Sequence, residues 1–347
     1  MLAESVDVVI GVDTHRDSHA LAIVEASLGV LVSEGRVVAS REGYRRALRL
    51  AGRHGRRRVW AVEGTGAYGA GLARFLKERG ERVLELERPV RTGSRSRAKS
   101  DALDALRAAR AALAGEPLAE LRAGGEREAL RVLLLSREAA VAVRRSGLNQ
   151  LRALVLTAPA DLRERLQGLP KGQLVKRCLA LRPRSDQQPQ LRGTLLALRS
   201  LARQVELTTR EAATLEREID GLVEQLAPQL LSRFGVGPIS AAQLLVSWSH
   251  PGRLRSEAAF ARLAGTAPIP CSSGKTIRYR LDRGGDRQLN RALHTIVLSR
   301  RRCDHTTITY IQRRISEGKS EREAIRSLKR YTARSLYRLM EHASQTA

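Results

Sequence analysis

Two apolar segments near the N-terminus each lead into an acidic residue. Asp13 follows the segment from Val6 to Val12, and Glu63 follows the segment from Arg58 to Val62. The composition and length of both segments are typical of buried strands. A carboxylate at the end of a strand avoids the free-energy cost of an unpaired charge inside a core. Asp13 and Glu63 are therefore candidates for one site at the end of a sheet.

A second pair of acids lies on a predicted helix from Ser100 to Leu113. Asp101 and Asp104 are three positions apart, so their side chains share one face of that helix. If the helix crosses the strand ends, these two carboxylates meet Asp13 and Glu63. Mg²⁺ prefers such oxygen ligands, and a pair of ions can stabilise the attacking and leaving oxygens of a phosphodiester. We therefore expect a nuclease-like Mg²⁺ site.

Each of these acids alone is also typical of a helix cap or a solvent-facing side chain. The combination favours a metal, because a strongly cationic chain keeps four acids near a basic segment from Arg91 to Lys99. That segment also contributes predicted nucleic-acid-binding residues. They are Arg95, Arg97 and Lys99.

The net charge identifies the class of partner. The 347 residues include 62 Lys and Arg against 36 Asp and Glu, for a net charge of +26. Such a charge favours association with a polyanion, and nucleic acid is the expected one. Aromatic residues make up only 3% of the chain, so contact with the phosphate backbone is expected to exceed stacking on unpaired bases.

Other patterns that could bind a ligand are weaker. Gly64, Gly66 and Gly69 fit the spacing of a dinucleotide fingerprint, but they follow the second buried strand, directly after an acid. The segment from Ser273 to Thr276 lacks the first glycine of a phosphate-binding loop, since position 269 is Ile.

The scattered ligand-type residues are also weak candidates. His15, Asp17 and His19 are interpreted as loop residues. The three cysteines, Cys178, Cys271 and Cys303, fit neither a disulfide framework nor a zinc site.

Periodicity divides the chain into three predicted domains. Residues 1–125 alternate strands and helices, which predicts a mixed α/β sheet with flanking helices. Residues 126–228 carry heptad-spaced apolar positions on two long helices around a polar break from Arg182 to Gln190. The heptads fit an antiparallel hairpin and a coiled coil with another subunit equally well. Residues 229–347 form a helical region whose last sixty residues are basic.

A glycine-rich turn opens the third domain. Phe234 to Pro238 is followed by an apolar helix, as in a helix-hairpin-helix element. In such an element the backbone N–H groups, here near Gly235 and Gly237, contact a DNA phosphate. An ordinary connection between helices fits the same residues.

Taken together, these motifs resemble the insertion-sequence transposases that have an N-terminal RuvC-like four-acid domain, also called bridge-RNA-guided recombinases. The resemblance covers nearly the whole chain. In the N-terminal half it is carried by the residues around Asp13, Glu63 and Asp101. In the C-terminal half it is carried by the segment from Gly265 to Gly274 and by the residues after Arg283.

The resemblance implies an RNase H-like fold, a long helical hairpin and a C-terminal helical transposase domain with a serine nucleophile. It places Mg²⁺ on Asp13, Glu63, Asp101 and Asp104 and the nucleophile at Ser273, with Ser272 as the neighbouring alternative. Basic residues around the serine could hold the scissile phosphate. They are Lys275, Arg278, Arg280, Arg283 and Arg287.

The predicted function is a DNA transposase or site-specific recombinase that cuts and rejoins donor and target DNA through a phosphoserine intermediate. The resemblance also implies a structured guide RNA, and the heptads suggest a homodimer or homotetramer. We expect a cytoplasmic protein, because no apolar run is long enough to span a membrane. The alternatives are a RuvC-type junction-resolving nuclease that activates water, and a non-catalytic nucleic-acid scaffold.

Overall fold

The computed structural model describes residues 2–86, 100–115, 118–122, 124–271, 279–280, 282 and 284–343. The chain divides into two compact units, residues 1–124 and 125–347. The predicted boundary at residue 228 lies inside the second unit and stays a prediction.

The first unit is a sheet with helices on its faces. Its elements are α1 Leu2–Ser5, β1 Val8–Thr14, β2 Ser18–Glu25, β3 Leu31–Val38, α2 Arg41–Gly52, β4 Arg58–Glu63, α3 Ala70–Lys77, β5 Arg82–Leu86, α4 Asp101–Leu113 and β6 Leu118–Glu120. The strand order is β3-β2-β1-β4-β5-β6. Strands β1, β4 and β5 are parallel, whereas β2, β3 and β6 run antiparallel to their neighbours. The predicted mixed α/β sheet is confirmed; α1 and β6 were not predicted.

Alternation along the buried strands separates two apolar layers. In β1, Val8, Ile10 and Val12 join the layer that packs against α2 and α3, while Val9 joins the layer that contains the alanines of α4. Both sets are almost fully buried, which explains why the strand is apolar up to Asp13.

A close approach between β1 and α4 determines where that helix lies. A Cβ atom at Gly11 would lie 2.0 Å from the carbonyl oxygen of Ala105 and 2.5 Å from the amide nitrogen of Ala109. Only glycine leaves room for these backbone atoms. The N-terminus of α4 is capped by Ser100, whose side chain accepts a hydrogen bond from the amide of Leu103. Ser100 and Gly11 thus determine where α4 starts and how close to the sheet it lies.

The second unit is almost entirely helical. Its elements are α5 Glu126–Leu156, α6 Ala160–Leu166, α7 Lys171–Leu179, α8 Pro189–Leu226, α9 Pro228–Leu231, α10 Pro238–Trp248, α11 Glu257–Leu263, β7 Ile269–Pro270, β8 Tyr279–Arg280, α12 Arg287–Cys303, α13 His305–Ser316 and α14 Glu321–Ala343. The helical nature of the last sixty residues is confirmed up to residue 343.

The two long helices pack against each other within one chain. Leu130 near the start of α5 shares an apolar cluster with Ile219 in the last third of α8, so the helices are antiparallel. Arg137 Nη2 donates to Glu216 Oε1 across the same pair at 2.7 Å. Of the two arrangements that the heptads allowed, the structure therefore has the intrachain hairpin.

The tip of this hairpin contains α6 and α7, which were not predicted. Leu162 and Leu174 of these short helices join Leu151 and Leu198 of the long helices in an apolar cluster of their own. Helices α9 to α12 and α14 share another cluster with the base of the hairpin, and this cluster includes Phe260. Within the described part of the chain, no helix is both long and apolar enough to cross a membrane.

Candidate metal centre

The register of the sheet brings the first two predicted acids to one place. Strands β1 and β4 are parallel, and their last paired residues are Val12 and Val62. Asp13 and Glu63 occupy the next position on each strand. Asp13 lies two residues after Gly11, and Glu63 lies two residues after Ala61. Residues two apart on a strand share a face, so both acids lie on the sheet face that carries α4.

Asp13, His15 and Asp101 form a compact group of potential metal ligands. One ligand atom from each lies within 4.8 Å of the other two. His15 Nε2 lies 3.0 Å from Asp13 Oδ2 and 3.2 Å from Asp101 Oδ1, so one imidazole contacts both carboxylates. The Asp13 side chain is 15% exposed and that of Asp101 is 39% exposed, which leaves the group open to solvent on one side.

A guanidinium group from β3 fixes the second carboxylate. Arg36 Nη2 donates to Asp101 Oδ2 at 2.9 Å, and Arg36 Nε donates to Ser18 Oγ at 2.9 Å. Arg36 therefore offsets part of the negative charge and orients Asp101 toward Asp13.

The other two predicted acids lie outside this group. Asp104 is on the first turn of α4, and its Oδ1 accepts a hydrogen bond from Arg107 Nη1 at 2.7 Å. Glu63 ends β4, and its backbone carbonyl accepts from Thr14 Oγ1 at 2.8 Å. The structure thus brings two of the four predicted acids together. It places Asp104 on the same helix as Asp101, and Glu63 on the strand next to that of Asp13. The four-acid arrangement stays a prediction.

The interpretation of the two histidines needs correction. His15 does lie in a loop, but its contacts with two carboxylates make it part of the candidate centre. His19 is not a loop residue, because it lies in β2 and is fully buried. Its ring stacks on Tyr44 with centroids 5.8 Å apart, and burial lowers the pKa of the imidazole. The signal for His15 was its position two residues after Asp13.

The donor set of this group fits a divalent cation. Two carboxylates supply hard oxygen ligands, and an imidazole nitrogen is a common ligand for several divalent metals. The group is compact and partly exposed, so an ion can reach it without opening the core.

The predicted nucleic-acid-binding turn lies between α9 and α10. Gly235 has a φ of +79°, a conformation that favours glycine, and the Phe234 carbonyl accepts from Arg300 Nε at 2.8 Å. A shallow depression of about 510 Å³ is lined by residues 231–237 and Ser299. The predicted turn is confirmed. Its contact with a phosphate stays a prediction.

Most of the other predicted binding residues lie outside the described part of the chain. This applies to Arg95, Arg97, Lys99, Ser272, Ser273, Lys275, Arg278 and Arg283. Two can be placed. Arg280 is exposed on β8, and Arg287 is the first residue of α12.

The described residues at the two ends of the predicted serine segment are held together by polar contacts. Asn290 Nδ2 donates to the Ala264 carbonyl at 2.6 Å, and Asn290 Oδ1 accepts from Lys329 Nζ at 2.5 Å. The Asp286 amide donates to the Leu263 carbonyl at 2.6 Å. We call Asn290, Lys329 and Asp286 the loop clamp.

The loop clamp has a buried amine at its centre. Lys329 is 9% exposed, and this burial lowers the pKa of its ammonium group. Asp286 also caps α12, where its Oδ1 accepts from the amides of Gln288 and Leu289. Sequence reasoning missed Asn290 and Lys329, because neither belongs to a spaced motif of chemical groups.

Comparisons with known proteins match both halves of the chain. Residues 10–158 match the DEDD-type family model of IS110 elements, described as "Transposase". Residues 227–312 match a second model, described as "Transposase IS116/IS110/IS902 family".

A curated protein of Streptomyces coelicolor is also similar. It is described as "Insertion element IS110 uncharacterized 43.6 kDa protein" and is 34% identical over 152 residues. The match spans 43% of this chain and 38% of that protein. The two family models occur here in order and describe parts of the same kind of transposase, so this chain is similar to IS110-type transposases in both its N-terminal and its C-terminal half.

Proposed function

We propose that this protein is a DNA transposase that cuts and rejoins DNA with the help of a divalent metal. The observation that carries the proposal is the convergence of Asp13 and Asp101, with His15 between them, at the end of β1. The similarity to the two transposase family models and the net charge of +26 support DNA as the substrate.

Asp13 and Asp101 would hold Mg²⁺ with His15, and the family resemblance adds Glu63 and Asp104. When bound, Mg²⁺ supplies Lewis-acid stabilisation of charge on phosphate oxygens. Arg36 keeps Asp101 directed toward Asp13. The sheet register and the close approach of α4 keep the two carboxylates in place with little conformational freedom.

For the cutting step we propose Ser273 as nucleophile, with Ser272 as the alternative; the resemblance to the family supports this choice. The serine Oγ would attack the phosphorus and lose its proton, while the bond from phosphorus to one DNA oxygen breaks. The departing DNA oxygen takes up a proton and becomes a hydroxyl. The phosphoserine ester conserves the phosphodiester bond, so the reverse attack by a DNA hydroxyl rejoins strands without an added energy source.

The basic residues near the serine would hold the scissile phosphate. They are Lys275, Arg278, Arg280, Arg283 and Arg287. Forked guanidinium hydrogen bonds suit phosphate oxygens, and the exposed position of Arg280 on β8 makes it accessible to DNA. Arg95, Arg97 and Lys99, with the turn at Gly235 and Gly237, would add contacts to the backbone.

The proposed partners are donor and target double-stranded DNA and a structured guide RNA. The resemblance to the family supports the guide RNA, and the charge agrees with any nucleic acid. We propose action as a homodimer or homotetramer in the cytoplasm, in association with the nucleoid when active.

A covalent-adduct assay tests the proposal. The full-length protein, with its co-purifying RNA, is incubated with Mg²⁺ and a plasmid that carries the element with its natural flanks, then denatured. We expect a protein–DNA adduct that disappears in Ser273→Ala and falls by about two orders of magnitude in Asp13→Asn, because even outer partners of metal ligands are worth 10–100-fold.

The matched control is Asp17→Asn, because Asp17 is near in sequence but its side chain is 89% exposed. Its adduct yield should equal that of the wild type. Cut DNA without an adduct would instead identify a RuvC-type nuclease that uses water. Full activity of Asp13→Asn would disprove the metal centre.

A further inference from the structure

Strand β3 is a free edge of the sheet. In the described part of the chain it pairs with β2 alone and stands last in the strand order. It is eight residues long and contains no proline. Val32 and Val38 are 41% and 64% exposed. Such an edge offers unpaired backbone groups to another strand.

The hydrogen-bond pattern shows which backbone groups face outward. The Ala39 amide donates to the Asp17 carbonyl next to β2. In an antiparallel ladder, alternate residues bond to the same neighbour. The odd residues 33–37 therefore bond to β2, and the amides and carbonyls of Glu34 and Arg36 point to the free edge.

The residues of β3 are complementary to themselves about Gly35. Glu34 and Arg36 flank this glycine with opposite charges, and Val38 lies one alternation beyond Arg36. On the other side Val32 lies at a bulge, where the pairing with β2 passes from Ser33 directly to Leu31. The side chains of Glu34, Arg36 and Val38 are exposed and lie on one face of the sheet. A strand that meets a copy of itself antiparallel through Gly35 thus sets each Glu34 opposite an Arg36 and brings each Val38 beside the bulge at Val32 of the other copy.

We propose that a second copy of this chain adds its β3 to this edge, with a two-fold axis through Gly35. Glu34 and Arg36 then form the hydrogen-bonded pairs, because their backbone groups are the outward ones. The resulting interface is isologous and continues the sheet from one copy into the next.

The charges of Glu34 and Arg36 favour this register over registers in which one copy of β3 is shifted along the other. A shift that keeps the outward groups paired sets either Glu34 opposite Glu34 or Arg36 opposite Arg36. Like charges directly opposite each other destabilise a strand pair, whereas opposite charges stabilise it. The same reasoning favours a second copy over an unrelated strand, since an unrelated strand has no reason to present this order of charges.

The interface lies beside the candidate metal centre. Arg36 already binds Asp101 through Nη2. In the paired register, Glu34 of the second copy lies opposite Arg36, so each copy adds a carboxylate to the border of the other's centre.

Site-specific cross-linking tests the register. Full-length Val32→Cys and Val38→Cys chains are prepared with the exposed Cys271 and Cys303 changed to Ser, and a short bismaleimide is added. We expect cross-linked dimer when the two variants are mixed, at least about tenfold above either variant alone. Equal yields in the mixture and the single variants would disprove the register.

Charge exchange tests the affinity by sedimentation equilibrium. Glu34→Arg and Arg36→Glu each turn both symmetric pairs from attractive to repulsive, so the dissociation constant should rise about tenfold. The double variant Glu34→Arg with Arg36→Glu restores opposite pairs and should regain the wild-type value, which also shows that the fold is intact. Wild-type association in both single variants would overturn the proposal. Neither measurement depends on DNA cleavage, so the proposed function is tested separately.

Discussion

The candidate metal centre of the first unit and the loop clamp of the second unit are held together by different means. In the first unit, the register of β1 with β4 and the contact of Gly11 with α4 determine where Asp13 and Asp101 meet. In the second unit, the loop clamp joins two ends of a segment through side-chain hydrogen bonds. The first site depends on regular backbone geometry, and the second depends on a few polar groups.

The difference also concerns charge. The first site keeps its carboxylates partly exposed and near the cationic Arg36, so their charge is compatible with water. The second keeps the Lys329 amine 9% exposed, where a charge is costly unless hydrogen bonds satisfy it. Backbone geometry therefore suits a partly exposed group of carboxylates, and buried polar contacts suit the packing of α12 against α14.

The largest effect is expected where the backbone approach is closest. Gly11→Ala places a methyl group 2.0 Å from the Ala105 carbonyl oxygen, so α4 must move. We expect a loss of about 3 kcal/mol in the free energy of unfolding of the first unit, measured by chemical denaturation. Gly66→Ala is the matched control, because no atom lies within 4 Å of the position that its new methyl carbon would take. If the two variants were equally stable, the close approach of Gly11 to α4 would not be what positions that helix.

A smaller effect is expected from breaking the loop clamp. Asn290→Ala leaves the Ala264 carbonyl and the Lys329 amine without this partner, which should lower the free energy of unfolding by about 2 kcal/mol. Asn149→Ala, at an exposed position of α5, controls for the change in helix propensity. If both variants unfold at the same denaturant concentration, the clamp does not support the fold.

The smallest effect is expected from pH at His19. Burial lowers the pKa of His19 below its ordinary value of 6.5, so the folded state binds fewer protons than the unfolded state in the window below 6.5. Stability should therefore rise as the pH rises toward 6.5 and fall on acidification. Urea denaturation across this range should show a shallower dependence in His19→Phe than in the wild type. An identical slope in both would assign the pH dependence to other groups.

Most helices and strands of the first unit could be predicted from the sequence, because apolar runs and regular spacings mark them. The apolar runs up to Asp13 and up to Glu63 identified the central strands, and the spacing of Asp101 and Asp104 was consistent with the start of α4. It was insufficient for β6, whose three residues show no period.

The sequence did not predict contacts between side chains that are distant from each other in the chain. Asn290 and Lys329 meet only because α12 and α14 pack together, and no pattern in either helix marks them. His15 is close to Asp13 in sequence, but its contact with Asp101 depends on where α4 crosses the sheet. The heptads of α5 and α8 likewise predicted the apolar face of each helix and left its partner open.

The separate apolar cluster at the tip of the helical hairpin affects how the chain tolerates changes there. Its apolar side chains contact one another around Leu162 and Leu174, and Cys178 is so deep among them that burial raises the pKa of its thiol to about 11. Because this cluster is distinct from the one around Phe260, insertions or exchanges at the tip leave the neighbours of that larger cluster unchanged. We therefore expect changes in length at the tip to cost less stability than changes in the helical base.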